Sequence, residues 1–226
     1  MQKYIKVNNI KLFYTCTGSG APLIMLHGNG EDHSIFNEAV ALLTKHFTVY
    51  SIDARDHGQS DKVDELHYDD MAEDIRIFIE ELGLEKPILY GFSDGGIIGL
   101  LLAIKYPELL SKVIGSGVNV NPEGLVKGWY IIFKIIYFFN RDRKFKLMLT
   151  EPNITKEMLS KIRIPVFLTG GSKDMIRQEH MRMIAENIPG AKLSILEGEK
   201  HGSYIVHNQK IAEVIIEYCE CGKQTE

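Results

Sequence analysis

The chain has 226 residues, 45% of them hydrophobic and 25% charged, and a formal net charge of -4. A chain of that size suits one domain that buries roughly 70–75% of its unfolded surface. The charge balance offers no basic excess for nucleic acid, and the start, Met1-Gln2-Lys3-Tyr4-Ile5-Lys6-Val7, carries no apolar signal segment, which predicts a cytoplasmic protein. Cys16, Cys219 and Cys221 are too few and too oddly placed for a disulfide framework. Cys219-Glu220-Cys221 has no second Cys/His pair at finger spacing, so these thiols are read as structural or incidental and no metal is expected.

Strand-like and helix-like segments alternate along most of the chain, the pattern of a largely parallel sheet flanked by helices. The first strands are predicted at Lys3–Val7 and Ile10–Thr17, turning at Asn8-Asn9. Pro22–Leu26 is a short apolar run of the kind buried on both faces. A helix near Ile35–Lys45 and a strand at Phe47–Ile52 follow. Tyr68–Leu82 places Met71, Ile75, Phe78, Ile79 and Leu82 at helical spacing, and Gly83 ends it. Pro87–Tyr90 reads as a buried strand, Gly95–Tyr106 as a helix stopped by Pro107, and Lys112–Ser116 as a strand. Residues 119–163 break the alternation and read as two or three helices, a lid inserted in a single domain spanning 1–226. The alternation then resumes with a strand at Pro165–Thr169, a helix at Gln178–Asn187, a strand at Lys192–Leu196 and a helix at Gln209–Cys219.

The chemistry centres on Gly91-Phe92-Ser93-Asp94-Gly95, where a buried strand gives way to a helix. G-x-S-x-G at such a junction is a nucleophile elbow, a strained turn that lifts the hydroxyl clear of the sheet. Side chains in place of its two glycines would collide with the neighbouring strand or helix. A serine hydroxyl needs a base. Of eight histidines, His201 is the candidate, because its loop follows the last strand and loops at the carboxyl ends of parallel strands carry the sites of open sheets. Asp174, in Gly170-Gly171-Ser172-Lys173-Asp174 after the preceding strand, is the candidate to orient that base. No acid follows the strand Lys112–Ser116 directly, where Asn119 and Asn121 stand instead. For an oxyanion, the backbone N–H groups of Asp94 and of Asn29, in His27-Gly28-Asn29-Gly30, are the candidate donors. His27 itself reads as a structural loop histidine.

These stretches, with Asp53-Ala54-Arg55-Asp56-His57-Gly58-Gln59-Ser60, resemble the α/β-hydrolase superfamily over nearly the whole chain. The segment Asp53–Ser60 resembles the family's D-x-R-x-x-G-x-S turn, which is structural as a rule. Locally, Gly91–Gly96 and the helix after it are similar to valacyclovir-hydrolase-like amino-acid ester hydrolases. That likeness implies that the Asp94 carboxylate could serve as counter-ion to a substrate ammonium; the competing reading is a first-turn helix residue.

In the expected lid, Trp129–Phe139 is apolar almost all round. A spanning helix needs about 20 residues, so this one is too short. It reads first as the roof of an apolar pocket, with Trp129, Phe133 and the elbow's Phe92 against substrate; a dimer contact or a membrane-surface patch comes second. Residues 119–163 hold nine Lys/Arg and four Asp/Glu, a surplus of five positive charges, and the basic groups read as a solvated outer face. The leading activity is cleavage of carboxylic esters of small or medium acyl groups through an acyl-enzyme on Ser93. The alternatives are amide or peptide hydrolysis and a slow-turnover ligand sensor of the same fold. The expected partner is a small-molecule ester, with no cofactor.

Overall fold

The computed structural model describes residues 2–221, excluding the side chain of Cys221, so part of the Cys219-Glu220-Cys221 expectation lies outside the described residues. Strands β1 (Gln2–Val7) and β2 (Ile10–Gly18) form a hairpin whose turn residues, Asn8 and Asn9, both take positive φ, 43° and 63°. Two-residue hairpin loops demand that geometry, and asparagine tolerates it better than most side chains. Six further strands complete one sheet: β3 (Ala21–Leu26), β4 (Phe47–Ile52), β5 (Ile88–Phe92), β6 (Lys112–Ser116), β7 (Val166–Gly171) and β8 (Lys192–Leu196). Their spatial order is β1-β2-β4-β3-β5-β6-β7-β8; β1 and β2 pair antiparallel and all pairs from β4 to β8 are parallel.

Helices cover both faces, as the alternation predicts. Helix α1 (Asn37–Leu43) packs with the C-terminal helix on one face, where Leu23, Met25, Tyr90 and Ile114 meet Phe36, Leu43, Ile211 and Ile215. On the other, α2 (Tyr68–Glu81) and α3 (Asp94–Lys105) bury Met71, Ile75, Phe78, Ile97 and Leu101 against Ile24, Leu26 and Leu89. The apolar spacing of α2 is therefore its inward stripe. Helix α3 is buried on every side from Asp94 to Ala103, because it crosses the middle of the sheet under the segment between β6 and β7.

That segment holds helices α4 (Lys127–Asn140), α5 (Arg143–Thr150) and α6 (Lys156–Leu159), after a 3-10 turn at Pro122–Gly124. Helices α7 (Gln178–Glu186) and α8 (Lys210–Cys221) complete the chain. Two elements differ from expectation. The helix predicted at Ile35–Lys45 divides into a 3-10 turn, His33–Phe36, started by the Asp32 side chain accepting from Ser34 N, and the shorter α1. Helix α4 is not enclosed as its all-round apolarity suggests. Only Phe133 among its residues is buried, because the segment touches the body mainly through α5 and the inner edge of α4.

Candidate active site

The sharp exit from β5 sets Ser93 at φ 50° and ψ -111°, a strained conformation for a side-chain-bearing residue. The turn is held from several sides: Ser93 N donates to Ser116 O at 2.8 Å and Gly95 N to His27 O at 3.2 Å. A Cβ on Gly91 would stand 2.1 Å from the Gly95 carbonyl, and one on Gly95 2.2 Å from Leu26 O. Both glycines thus let α3 start directly against the strand.

Ser93 follows β5, Asp174 follows β7 and His201 follows β8, so all three leave the sheet at its carboxyl edge. His201 Nε2 lies 3.1 Å from Ser93 Oγ, and Nδ1 lies 2.7 Å from Asp174 Oδ1. Ile176 N and Gly171 N also donate to the Asp174 carboxylate, at 2.9 and 3.3 Å. Burial alone would raise that carboxyl; the His201 contact and these two N–H groups outweigh it and hold it below the usual carboxylate range. An ionised Asp174 can only accept, so Nδ1 carries the ring proton and Nε2 is free to accept from Ser93.

Asn29 sits opposite, on the loop after β3. Among the described residues neither its backbone N–H nor that of Asp94 has an acceptor within the protein. The Asn29 side chain donates to Asp94 Oδ2 at 3.0 Å and to Lys144 O at 3.3 Å. Tyr68 OH donates to Asp94 Oδ1 at 2.7 Å. Burial pushes the Asp94 carboxyl up to about 6, against the pull of those two hydrogen bonds. The carboxylate is 3% exposed and each oxygen already has a donor, so it lies beside Tyr68 and Asn29 rather than in the main cavity.

That cavity, about 330 Å³, opens in front of Ser93 and is lined mainly by apolar groups, among them Phe92, Phe133, Phe145, Met148 and Met175. Trp129, expected there too, lies outside it, 43% exposed and packed on the Phe133 ring at 6.0 Å. The basic residues of the segment are not all solvated. Arg143 Nε and a terminal nitrogen reach the two Asp56 oxygens at 2.9 and 3.0 Å, and Lys144 Nζ joins them at 3.1 Å. Asp56, 1% exposed, thereby bolts the start of α5 to the Asp53–Ser60 turn.

A model of the alpha/beta hydrolase fold matches residues 21–134, about half of the chain. The chain belongs to the alpha/beta hydrolase fold family. The human serine hydrolase BPHL is 28% identical to this α/β hydrolase over 236 aligned positions, covering 89% of this chain and 80% of that protein. Among solved structures, an esterase from Exiguobacterium antarcticum superposes with a TM-score of 0.85 at 23% identity, over 97% of this chain and 100% of that one. An enol-lactonase from Burkholderia xenovorans LB400 gives 0.81 at 19% identity, over 96% and 100%. At these identities the two solved structures speak for the fold.

Two residues of the α/β hydrolase site carry no signal in the sequence pattern. Glu31 lines the cavity and accepts from Gly28 N at 3.0 Å; burial raises its carboxyl to about 6, partly offset by that N–H and by His201. Gly117, just after β6 at φ 61°, backs the His201 ring so closely that a Cβ would fall 2.6 Å from Cε1. Asp32, His33 and Asp53 form a cluster of metal-ligand type, but Asp53 already accepts from His33 N and Nδ1, each at 2.7 Å, and from Gln59 N at 2.8 Å. The cluster braces the turn. His27 does likewise, accepting from Ala54 N at 3.0 Å through Nε2.

Proposed function

We propose that this α/β hydrolase cleaves carboxylic esters of small or medium acyl groups through an acyl-enzyme on Ser93. Ser93 Oγ attacks the ester carbonyl carbon as its proton passes to His201 Nε2. The ionised Asp174 keeps the ring in the required tautomer and stabilises the cation it becomes. The negative charge developing on the carbonyl oxygen is met by the N–H groups of Asn29 and Asp94, the latter at the positive end of α3. Collapse of the tetrahedral adduct expels the alkoxide, which takes the proton from His201, and water then repeats the sequence on the acyl-enzyme. Residues 119–163 act as the lid, with Phe133, Phe145 and Met148 supplying the apolar wall for the acyl chain.

The observation that carries this reading is the unbroken pair of contacts, 3.1 Å from Ser93 to His201 and 2.7 Å from His201 to Asp174, at the floor of an apolar cavity. The volume of about 330 Å³ lies near the small end of ligand sites, which favours modest acyl groups. The chain's likeness to the human serine hydrolase and to the bacterial esterase supports that chemistry. The test is a panel of p-nitrophenyl esters of increasing acyl length beside the matched anilides, in wild type and Ser93→Ala. We expect ester turnover to exceed anilide turnover, and Ser93→Ala to lose roughly 10⁴–10⁶-fold. Undiminished fluorophosphonate labelling of Ser93→Ala would remove Ser93 from its role.

A further inference from the structure

Eight large hydrophobic side chains are exposed among the described residues, and seven of them lie between Val126 and Phe139. Apolar side chains scattered singly on a surface are ordinary, whereas a contiguous patch marks a contact. Helix α4 turns Phe133 inward to the cavity. On its far side Ile131, Ile135 and Phe138 stand at i, i+4 and i+7, widened by Ile132 and Phe139, with exposures from 44% to 79%. The inner edge of the helix is thus accounted for by the body, and the outer face has no partner among the described residues.

Charge distinguishes what could cover it. No acid occurs in Lys127–Asn140. At 100° per residue Lys127 and Lys134 run along one border of the apolar stripe, and Arg141, just past the helix end, continues that line. All three are exposed. Two of them lie over aromatic rings of the same helix: Lys134 Nζ is 5.0 Å from the Tyr130 centroid, and the Arg141 guanidinium is 5.5 Å from those of Tyr137 and Phe138. An antiparallel two-fold contact between two copies would set this cationic border against itself. A helix of 14 residues is about 21 Å long, short of a hydrocarbon core of roughly 30 Å, so it cannot span one. An apolar face with aromatic residues, a basic border and no acid is the composition of a helix that lies in an anionic lipid surface.

We propose that α4 is an interfacial anchor, with Ile131, Ile135, Phe138 and Phe139 in the headgroup–acyl boundary of an anionic bilayer and Lys127, Lys134 and Arg141 at the level of its phosphates. The anchor stands on its own observations and does not depend on the reaction proposed above.

The test is cosedimentation of the full chain with vesicles of phosphatidylcholine alone or with about one third phosphatidylglycerol, at about 0.1 M and about 0.5 M salt. Three cations at roughly fivefold each should favour the anionic vesicles by about 100-fold at the lower salt, and higher salt should erase most of that preference. Phe138→Ser/Phe139→Ser should weaken partitioning by roughly 100-fold, and Lys127→Glu/Lys134→Glu should abolish the preference for phosphatidylglycerol. Both side-chain pairs are exposed, so an unchanged melting transition is expected and separates lost binding from lost fold. Failure to bind either vesicle, or equal binding to both, would overturn the proposal. So would sedimentation equilibrium showing a dimer that Phe138→Ser/Phe139→Ser dissociates, which would give the face to a second copy.

Discussion

Replacing Gly117 by alanine would add one methyl group to the site and change none of its reacting atoms. The new Cβ would stand 2.6 Å from His201 Cε1 and 2.8 Å from Nδ1. Carbon atoms approach comfortably to about 3.5 Å, so one side has to yield by roughly 0.9 Å. The backbone is the stiffer side: Gly117 N donates to Thr169 O at 2.8 Å, and the preceding carbonyl, Ser116 O, holds Ser93 N at 2.8 Å. The imidazole therefore moves, and a displacement of that size breaks either the 3.1 Å contact to Ser93 or the 2.7 Å contact to Asp174. A misplacement of about 1 Å costs on the order of 100-fold in rate. The positive φ of 61° adds a second, separable effect, about 1–2 kcal/mol of strain for any side chain, or roughly 2–8 °C in Tm for a chain of this size. Steady-state hydrolysis of a short p-nitrophenyl ester, well below Tm, should show kcat reduced about 100-fold and KM within about threefold, since the cavity walls are untouched. A variant with the lowered Tm but more than about a third of the wild-type kcat would show that Gly117 does not set the ring position.

Asp174→Asn should reduce kcat by about 10⁴-fold, because the amide allows the ring its other tautomer; retention of more than about a tenth of the rate would mean that another group orients His201. Tyr68→Phe removes the 2.7 Å hydrogen bond to Asp94, a charge-assisted contact of about 1.5–3 kcal/mol. The Asp94 carboxyl should then titrate roughly one to two pH units higher, as read from its ¹³C carboxyl resonance; an unmoved titration would refute the contact. Asp94 also predicts how stability depends on pH. Its carboxyl titrates at about 6 in the fold against an ordinary 3.8. Between those values the native state holds the Asp94 proton more tightly, so this group's contribution to stability falls by about 3 kcal/mol as pH rises from about 4 to 6 and is level above. The stability of wild type relative to Asp94→Asn should therefore fall across that range in paired melting curves, and parallel curves would contradict the assignment.

The features legible in the sequence are those whose cause is local. The Asn8-Asn9 hairpin, the inward stripe of α2 and the tight turn at Ser93 each follow from a few adjacent residues and the geometry they permit. Asp174 and His201 were also legible, since strand order alone sends their loops to one edge. Glu31, Gly117 and Asp56 were not, because what matters about each is supplied by distant chain. Gly117 is defined by a ring 84 positions later, and Asp56 by two cations 87 and 88 positions later. Helix α4 misled for a related reason. Its residues read as the roof of an apolar pocket, yet of the whole helix Phe133 alone lines the cavity beneath, and the opposite face has no partner among the described residues.

Asn29 joins three parts of the molecule. Its side chain ties the elbow, through Asp94, to the main chain of α5 at Lys144, while its own N–H faces the reacting carbonyl in the proposed mechanism. The free energy of seating α5 and that of ordering this donor are consequently linked. Any ligand that draws α5 down tightens the donor, and an anion bound at the donor strengthens the seating of α5 by the same factor. With Asp56 also gripping Arg143 and Lys144, at 2.9 and 3.1 Å, the position of that helix becomes a thermodynamic variable of the candidate site rather than of the surface alone.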